Sequence, residues 1–184
     1  MRRQLRPFYT PDQLAQVYAR PYDHTRWADH VERVARTVQV LDVFAAATGA
    51  ETVADLSCGD GAIVAQSTHL WRATHLGDYT TTGPIEQTLA TLPQVDMFVC
   101  SETLEHVEDP DGLLAGIRAR ASHLLLTTPC GEDDDANPEH YWGWDTDDLR
   151  EMLTGAGWSD CQVELFTPQS VAYYTFQIWT CTRR

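Results

Sequence analysis

The sequence predicts a three-layer α/β sandwich, in which a mostly parallel sheet is closed by an antiparallel hairpin at the C-terminal end. Short apolar runs alternate with segments of helical periodicity, which is typical of a buried parallel sheet with helices on both faces. The last two β segments, residues 161–166 and 172–182, are joined by too few residues for a helical crossover, so we expect them to pair antiparallel. The length of 184 residues suits one domain, and we predict a single domain over residues 1–184.

An N-terminal helical segment, residues 1–48, is expected to cover an α/β core over residues 50–184. A short helix over residues 11–20 begins with a proline, whose missing N–H is harmless in the first turn. A longer helix over residues 24–47 is followed by Gly49, which ends it. Apolar residues recur in the longer helix at spacings of three and four and therefore share one face: Trp27, Val31, Val34, Val38, Leu41 and Ala45.

Strands and helices alternate through the core. The predicted strands before the hairpin cover residues 53–56, 73–77, 95–100 and 122–127. The predicted helices cover residues 61–70, with Asp60 as the cap, and residues 84–92, 111–121 and 145–156. Residues 130–144 are expected to form a polar loop that contains an acidic run at residues 132–135.

Composition and charge exclude several classes of protein. The net charge of −14 disfavours extended binding to nucleic acid, because such a chain repels a phosphate backbone. All 13 basic residues are arginines, which excludes a P-loop lysine and a Schiff-base lysine. The five cysteines form no C-x-x-C pair, so we expect reduced thiols. No apolar stretch is long enough to span a bilayer, and we expect a cytoplasmic protein without membrane contact.

The first motif is a glycine-bearing loop after the first core strand. Glycine lets the backbone approach a ligand that a Cβ would exclude. The dinucleotide fingerprint G-x-G-x-x-G is a competing interpretation, but Val64 stands where its third glycine belongs, and Asp60 would repel a pyrophosphate. A plain strand–turn–helix is the other alternative. The motif comprises Asp55, Leu56, Ser57, Cys58, Gly59, Asp60 and Gly61.

The second motif is a cluster of polar residues at the end of the strand over residues 95–100, namely Ser101, Glu102, Glu105 and His106. The carboxyl ends of parallel strands share one edge of the sheet, where ligands bind, so we expect both motifs to lie together. A solvated helix-capping cluster is the alternative interpretation. Asp78, at the end of the strand before it, is either an ordinary turn aspartate or a carboxylate that accepts hydrogen bonds from a ligand.

Together the two motifs resemble those of the class I S-adenosylmethionine-dependent methyltransferases. The resemblance implies a Rossmann-like sheet and S-adenosylmethionine as cofactor, with Gly59 and Gly61 at its methionine end, Asp55 supporting it and Asp78 at its ribose. It also assigns Ser57, Cys58, Asp60, Ser101 and Glu102 to the cofactor site. His106, with Glu105, is the expected catalytic base. Asp96 follows Asp55 by only 41 positions (96 − 55). The family usually has a longer interval between these two strands, so we expect a narrower sheet.

The Glu-x-x-Glu-His element is similar to a divalent-metal motif of small-RNA 3′-terminal 2′-O-methyltransferases and of ubiquinone-pathway O-methyltransferases. This similarity implies that Glu102, Glu105, His106 and a distant histidine, His140, bind Mg²⁺ or Mn²⁺, ions that suit carboxylate ligands. The alternative is that His140 and Glu139 only border the pocket.

The expected reaction is methyl transfer to an oxygen, or less readily a nitrogen, of a small molecule. Tyr22, His140, Trp142 and Trp144 are the expected residues of the acceptor pocket. The alternatives are an RNA 2′-O-methyltransferase, which the negative charge disfavours, an inactive protein that binds S-adenosylmethionine, and a nicotinamide-dependent oxidoreductase.

Overall fold

The computed structural model describes residues 2–131, 137–171 and 174–183. The predicted acidic run at residues 132–135 and the predicted start of the last β segment at residue 172 lie outside the described residues.

Strands and helices alternate within the described residues. The strands are β1 (Arg3–Gln4), β2 (Thr52–Asp55), β3 (Ala73–Leu76), β4 (Val95–Ser101), β5 (Ala121–Pro129), β6 (Trp142–Gly143), β7 (Ser159–Phe166) and β8 (Phe176–Thr182). The α-helices are α1 (Pro11–Val17), α2 (Ala28–Thr48), α3 (Ala62–Gln66), α4 (Tyr79–Thr82), α5 (Ile85–Thr91), α6 (Pro110–Arg120) and α7 (Thr146–Gly155). Short 3₁₀ turns cover His24–Arg26 and Leu104–His106.

A six-stranded sheet forms the centre of the fold, with strand order β3-β2-β4-β5-β8-β7. The strands β3, β2, β4 and β5 are parallel, whereas β8 pairs antiparallel with both β5 and β7. The predicted three-layer sandwich and its terminal antiparallel hairpin are therefore confirmed. Between β2 and β4 the chain adds β3 as the single further strand among the described elements, which gives a sheet of six strands.

The 21-residue helix α2 covers one face of the sheet and buries Val34, Leu41 and Ala45. The predicted apolar face extends one turn too far, because Trp27 and Val31 are 44% and 41% exposed. Trp27 has extended backbone angles and precedes the helix, so helical spacing does not reach it. Like every other described helix, α2 does not combine the length and the apolar character needed to cross a bilayer.

Helix α3 is much shorter than the predicted helix over residues 61–70. Gly61 precedes its first residue, and Asp60 supports the start by accepting a hydrogen bond from the Ala62 amide at 3.2 Å. The chain leaves the helix at Ser67 and is held there by Asp42 of α2. The Asp42 carboxylate accepts hydrogen bonds from Ser67, Thr68 and His69. Competition from this side chain ends the helix, a long-range effect that local periodicity does not contain.

A two-stranded ladder that the sequence did not predict joins the N-terminus to the predicted polar loop. Arg3 and Gln4 of β1 pair antiparallel with Gly143 and Trp142 of β6. The N-terminal arm therefore fixes the course of residues 140–144 on the core.

Asp42→Asn should destabilise the protein by about 0.5–1.5 kcal/mol at pH 7, because an amide donor replaces one acceptor oxygen of a half-buried, hydrogen-bonded carboxylate. Burial alone would raise the pKa of Asp42, but the hydrogen bonds from Ser67 and Thr68 outweigh it and lower that pKa. A lowered folded pKa contributes stability above the unfolded pKa, and this contribution is lost as the pH falls through the folded value. Urea unfolding at several pH values from 7 down to 3.5 should therefore show the wild-type advantage shrinking at the acid end.

The exposed carboxylate of Glu151 on α7 provides the matched control, and Glu151→Gln should change stability by less than about 0.5 kcal/mol. An equal loss for both variants, or a pH-independent loss for Asp42→Asn, contradicts the assigned role of Asp42.

Candidate active site

A large cleft lies at the carboxyl ends of β2, β3, β4 and β5 and is covered by the N-terminal segment. Its volume is about 2130 Å³, well above the roughly 300–1,000 Å³ of a typical pocket for one small ligand. The loop after β2, the start of α4, residues 101–109 and residues 137–141 form its floor and one wall. The N-terminal helices form the opposite wall. The cleft therefore has room for two ligands side by side.

The first motif lies on the floor of the cleft. Asp55 ends β2 with 2% of its surface exposed, and its Oδ1 accepts a hydrogen bond from the Ser57 amide at 3.2 Å. Burial raises the pKa of Asp55 to about 7, and the negative charge of Asp78 adds to the rise. The Cys58 amide donates to the Gly77 carbonyl at 2.9 Å, which ties the loop to the end of β3. Within this motif Asp55, Ser57, Cys58 and Asp60 line the cleft.

Gly59 and Gly61 shape the loop, and both have positive φ angles, 54° and 75°. The two glycines have different neighbours. A Cβ on Gly59 would lie 3.0 Å from both the Cβ and the carbonyl oxygen of Tyr22, whereas a Cβ on Gly61 would meet Leu76 at 3.9 Å. The absence of a side chain at Gly59 therefore lets Tyr22 of the N-terminal segment pack against the loop. The motif itself does not indicate this reason for a glycine.

A second contact holds the N-terminal segment on the loop. The Asp60 Oδ2 atom accepts a hydrogen bond from the His24 amide at 3.1 Å and lies 2.5 Å from His24 Nδ1. Tyr22, which packs on Gly59, also lines the cleft. The loop and its cover are thus assembled as one unit.

Asp78 fits both interpretations that the sequence left open, a turn aspartate and a carboxylate that faces a ligand. It precedes α4, where its Oδ1 accepts hydrogen bonds from the amide and hydroxyl of Thr80 at 3.0 and 2.7 Å. It also lines the cleft. The turn and ligand-facing interpretations are compatible here.

The second motif begins where β4 ends. Ser101 Oγ lies 2.8 Å from Thr127 Oγ1 and accepts a hydrogen bond from Arg33 at 2.7 Å. Glu102 has a positive φ of 50°, and its Oε1 accepts a hydrogen bond from Thr127 Oγ1 at 2.8 Å. This backbone turn directs the Glu102 carboxylate toward β5.

Glu105 and His106 lie on the following 3₁₀ turn. Glu105 is 1% exposed, and its Oε2 accepts a hydrogen bond from Thr128 Oγ1 at 3.1 Å. His106 Nδ1 lies 2.9 Å from the Glu139 carbonyl oxygen, which can only accept, so Nδ1 carries the proton. The lone pair of the neutral ring is then on Nε2, 3.9 Å from Glu105 Oε1.

Glu105, His106 and His140 offer ligand atoms that all lie within 4.8 Å of one another. The His106 and His140 rings are edge to face with centroids 4.8 Å apart, and Asn137 Nδ2 lies 2.9 Å from His140 Nε2. Glu102 lies outside this set, so the structure brings together three of the four expected metal-ligating residues, and the role of Glu102 stays a prediction. The i to i+3 spacing from Glu102 to Glu105 does not bring the two carboxylates together, because the intervening backbone is not an α-helix.

The expected acceptor residues divide into two pairs. Tyr22 and His140 line the cleft, whereas Trp142 and Trp144 do not. Trp144 is buried in the core and donates its indole N–H to Thr128 Oγ1 at 3.0 Å. Trp142 donates to the Val107 carbonyl at 2.8 Å, and Arg2 lies over its ring. The expectation of two tryptophans in the pocket is therefore wrong, because the loop folds inward beneath the N-terminal arm.

Among the cleft residues that the sequence had not singled out are His30 and Arg33 of α2. Burial lowers the pKa of His30 to about 4, with smaller contributions from Arg33 and His140. Arg33 falls beside the apolar stripe of α2, so helical periodicity hides it. The burial of Arg33 becomes visible only in the structure.

Among the comparisons with known proteins, only the comparison of structures found similar proteins, and it supports the fold. No protein-family model matches the chain, and no curated protein is similar to it. A SAM-dependent methyltransferase from Archaeoglobus fulgidus superposes with a TM-score of 0.64 at 14% identity, over 82% of this chain and 92% of that one. A 1,6-didemethyltoxoflavin-N1-methyltransferase from Burkholderia thailandensis superposes with a TM-score of 0.61 at 14% identity, over 97% and 93%.

A third similar structure is the N-terminal domain of EvdMO1 in the presence of SAH and D-fucose. Its TM-score is 0.57 at 16% identity, over 80% of this chain and 83% of that one. The chain therefore has the class I S-adenosylmethionine-dependent methyltransferase fold, and the expected resemblance is confirmed at the level of the fold.

Gly59→Ala should destabilise the protein by more than Gly61→Ala. Both variants place a Cβ at positive φ, which costs about 1–2 kcal/mol, but only the Cβ at residue 59 also strikes Tyr22. Thermal unfolding should rank the variants, and limited proteolysis should show faster cleavage within residues 18–27 for Gly59→Ala alone. Equal destabilisation with unchanged proteolysis would mean that Tyr22 does not rest on the loop.

Asp55→Asn should stabilise the protein at pH 8 by about 1–4 kcal/mol, with a smaller gain at pH 5. A carboxyl whose folded pKa exceeds its unfolded value of about 3.9 opposes folding increasingly as the pH rises between the two values. Asparagine keeps the oxygen that accepts from Ser57 but cannot ionise. Urea unfolding at pH 5 and 8 measures the difference, with Glu151→Gln as control. A gain that does not grow with pH would contradict the raised pKa.

Proposed function

We propose that this protein is a methyltransferase that uses S-adenosylmethionine to methylate a hydroxyl group of a small molecule. The observation that carries the proposal is the meeting, in one cleft, of the glycine loop after β2 and His106 after β4, with the buried Glu105 beside His106. The fold similarity supports the methyl-transfer chemistry.

The first motif fits the cofactor by its donor set and by its position. When bound, S-adenosylmethionine supplies a methyl group on a positively charged sulfur. Asp55, at the end of β2, is suited to the cofactor's ammonium, because removal of a buried carboxylic proton would then be compensated by a nearby cation. Asp78, at the start of α4, is suited to the ribose hydroxyls, because a carboxylate accepts two hydrogen bonds. Ser57, Cys58 and Asp60 complete the lining on this side.

His106 is suited to take the proton of an acceptor hydroxyl. Its Nδ1–H is held by the Glu139 carbonyl, which leaves Nε2 as the basic atom. The Glu105 carboxylate, 3.9 Å from Nε2, would stabilise the imidazolium that forms. Thr128 holds that carboxylate in place. The acceptor oxygen would form a bond to the methyl group as the S–CH3 bond breaks and S-adenosylhomocysteine leaves. A neutral alcohol is a poor nucleophile unless a base takes its proton in this step, whereas a neutral amine attacks through its lone pair, so a positioned base favours an oxygen acceptor.

Binding of a divalent metal ion is a second role for the same cluster, and the convergence of Glu105, His106 and His140 favours this role. One carboxylate and two imidazoles suit Mn²⁺ and, less well, Mg²⁺. A bound ion would lower the pKa of an acceptor hydroxyl. His106 would then be a ligand instead of the base, so the two roles exclude each other in one catalytic state.

The charge of −14 favours a small molecule over RNA as the acceptor. Two of the similar structures were determined with small molecules other than the cofactor product, D-fucose in one and 1,6-didemethyltoxoflavin in the other. The alternative of an inactive protein would use the same cofactor-binding residues. It differs from the proposed function only in that no methyl group is transferred.

Calorimetric titration with S-adenosylmethionine, S-adenosylhomocysteine and NADH, each in chelator, tests the cofactor. We expect micromolar binding of the first two compounds and none of NADH. Binding of NADH alone, or of none of the three, would refute the proposed function. Incubation of radiolabelled S-adenosylmethionine with small-metabolite and RNA fractions then identifies the acceptor class, and absence of transfer to any fraction would indicate the inactive binding protein.

His106→Ala should lower methyl transfer by about 10²–10⁴-fold, the usual contribution of a positioned base, while S-adenosylhomocysteine binding stays within about threefold. Manganese titration followed by electron paramagnetic resonance separates the two roles. If the cluster binds metal, Glu105→Gln and His140→Ala should each lose Mn²⁺ affinity.

Glu102→Gln is the matched control for this metal titration, because Glu102 lies outside the cluster although it belongs to the sequence element. We expect its Mn²⁺ affinity to be unchanged. If Glu102→Gln weakens Mn²⁺ as strongly as Glu105→Gln does, the four-residue set is correct and the three-residue set is wrong. Absence of Mn²⁺ binding by the unmodified protein leaves His106 as the base.

A further inference from the structure

Arg33 is a buried arginine in the wall of the cleft. It lies in the second turn of α2 with 2% of its surface exposed. One terminal nitrogen donates to Ser101 Oγ at 2.7 Å, and the guanidinium lies 5.5 Å from the centre of the Phe176 ring. Its Nε is buried and has no hydrogen-bond partner among the described residues. The side chain is thus held in place while part of its donor capacity is unused.

A guanidinium in this position is costly unless an anion joins it. Buried charges in proteins are normally paired, because removal from water is not compensated otherwise. No carboxylate of the described residues lies within ion-pair distance of Arg33. Serine and an aromatic ring provide only part of the compensation. The arrangement is therefore that of a prepared anion site.

The position of Arg33 indicates which anion it binds. It contacts Ser101 at the end of β4, and its positive charge is close enough to Asp55, at the end of β2, to affect that carboxyl group. These are the two strand ends that carry the motifs. An amino-acid head group has an ammonium and a carboxylate on one carbon, and Asp55 and Arg33 provide the two complementary charges.

We propose that Arg33 binds the methionine carboxylate of S-adenosylmethionine and so makes the protein selective for cofactors that retain this carboxylate. This inference rests on the proposed function. An anionic group on the acceptor would be the other source of a carboxylate for Arg33. The acceptor side of the cleft, around His106, carries Glu102, Glu108 and Glu139, so an anionic acceptor would meet like charges there.

The test combines a change in the protein with a change in the ligand. The ligands are S-adenosylhomocysteine and its decarboxylated analogue, which keeps the adenosine, the sulfur and the ammonium. Calorimetry should show that unmodified protein prefers S-adenosylhomocysteine. Arg33→Met should weaken S-adenosylhomocysteine by about 10- to 100-fold, the loss of a charge-assisted hydrogen bond to a carboxylate. Binding of the decarboxylated analogue should change by less than about threefold.

The matched control is Arg36→Met, one turn further along α2, where Arg36 pairs with Glu164 away from the cleft. It should leave both affinities unchanged. Arg33→Lys keeps the charge but loses the planar fork, so it should fall between wild type and Arg33→Met. If Arg33→Met does not fold, as judged by circular dichroism, the lysine variant and the ligand comparison on unmodified protein decide the matter.

Several outcomes overturn the inference and leave the proposed function intact. Equal weakening of both ligands by Arg33→Met would assign Arg33 a structural role. Unchanged S-adenosylhomocysteine binding with a raised KM for the acceptor would assign the carboxylate to the acceptor. Equal affinity of the unmodified protein for both ligands would mean that the carboxylate is not recognised. Failure of the unmodified protein to bind S-adenosylhomocysteine would instead refute the proposed function itself.

Discussion

The candidate site depends on the staggered carboxyl ends of three neighbouring strands. β2 pairs with β4 through Ala54 and Phe98 and ends one residue later, whereas β4 continues to Ser101. β5 in turn pairs with β4 up to Thr127 and continues to Pro129. The sheet edge therefore rises in steps from β2 to β5. Asp55 lies on the lowest step, where its carboxylate is buried beneath the cleft.

Glu105 links this sheet edge to the rest of the site. Its carboxylate is held by Thr128 of the longest strand, and the Trp144 indole donates to the same hydroxyl. Its own carbonyl accepts from the Tyr141 amide at 2.8 Å, directly after His140. The β1–β6 ladder then holds the following residues from the outside. The position of His140 next to His106 thus follows from buried hydrogen bonds that begin at Glu105, with the N-terminal arm as the outer support.

Local patterns in the sequence were sufficient for most of the fold. Apolar runs, glycines at helix ends and the short terminal connection predicted the sandwich and its hairpin, because each depends on residues close in the chain. The helix over residues 61–70 was predicted too long, since Asp42 captures the chain at Ser67 from a distant helix. The β1–β6 ladder was missed for the same reason, because its two strands lie far apart in the sequence.

For the site, too, local sequence patterns predicted some features, and other features were not predictable from them. The expectation that both motifs lie at the carboxyl edge of the sheet correctly placed Asp55, Asp78, Ser101 and His106 in one cleft. It did not predict the paths of single side chains, as Glu102 and Trp144 show. Glu102 lies outside the set of Glu105, His106 and His140, and its own backbone adopts a left-handed conformation. Trp144 turns inward because Thr128 offers its indole a buried acceptor. Arg33 was missed because it is buried, and a helical wheel assigns buried positions to apolar residues.

The hydrogen bond from His106 to the Glu139 carbonyl suits either chemical role of the cluster, so it cannot distinguish a base from a metal ligand. The distance of 3.9 Å from His106 Nε2 to Glu105 Oε1 is more informative. It exceeds a direct hydrogen bond, so an imidazolium would be stabilised through space or by a bridging water. Two atoms that each lie about 2.1 Å from one Mg²⁺ can be at most about 4.2 Å apart. The pair is therefore within the maximum span of a shared ion, whereas a direct hydrogen bond would require the two side chains to approach each other.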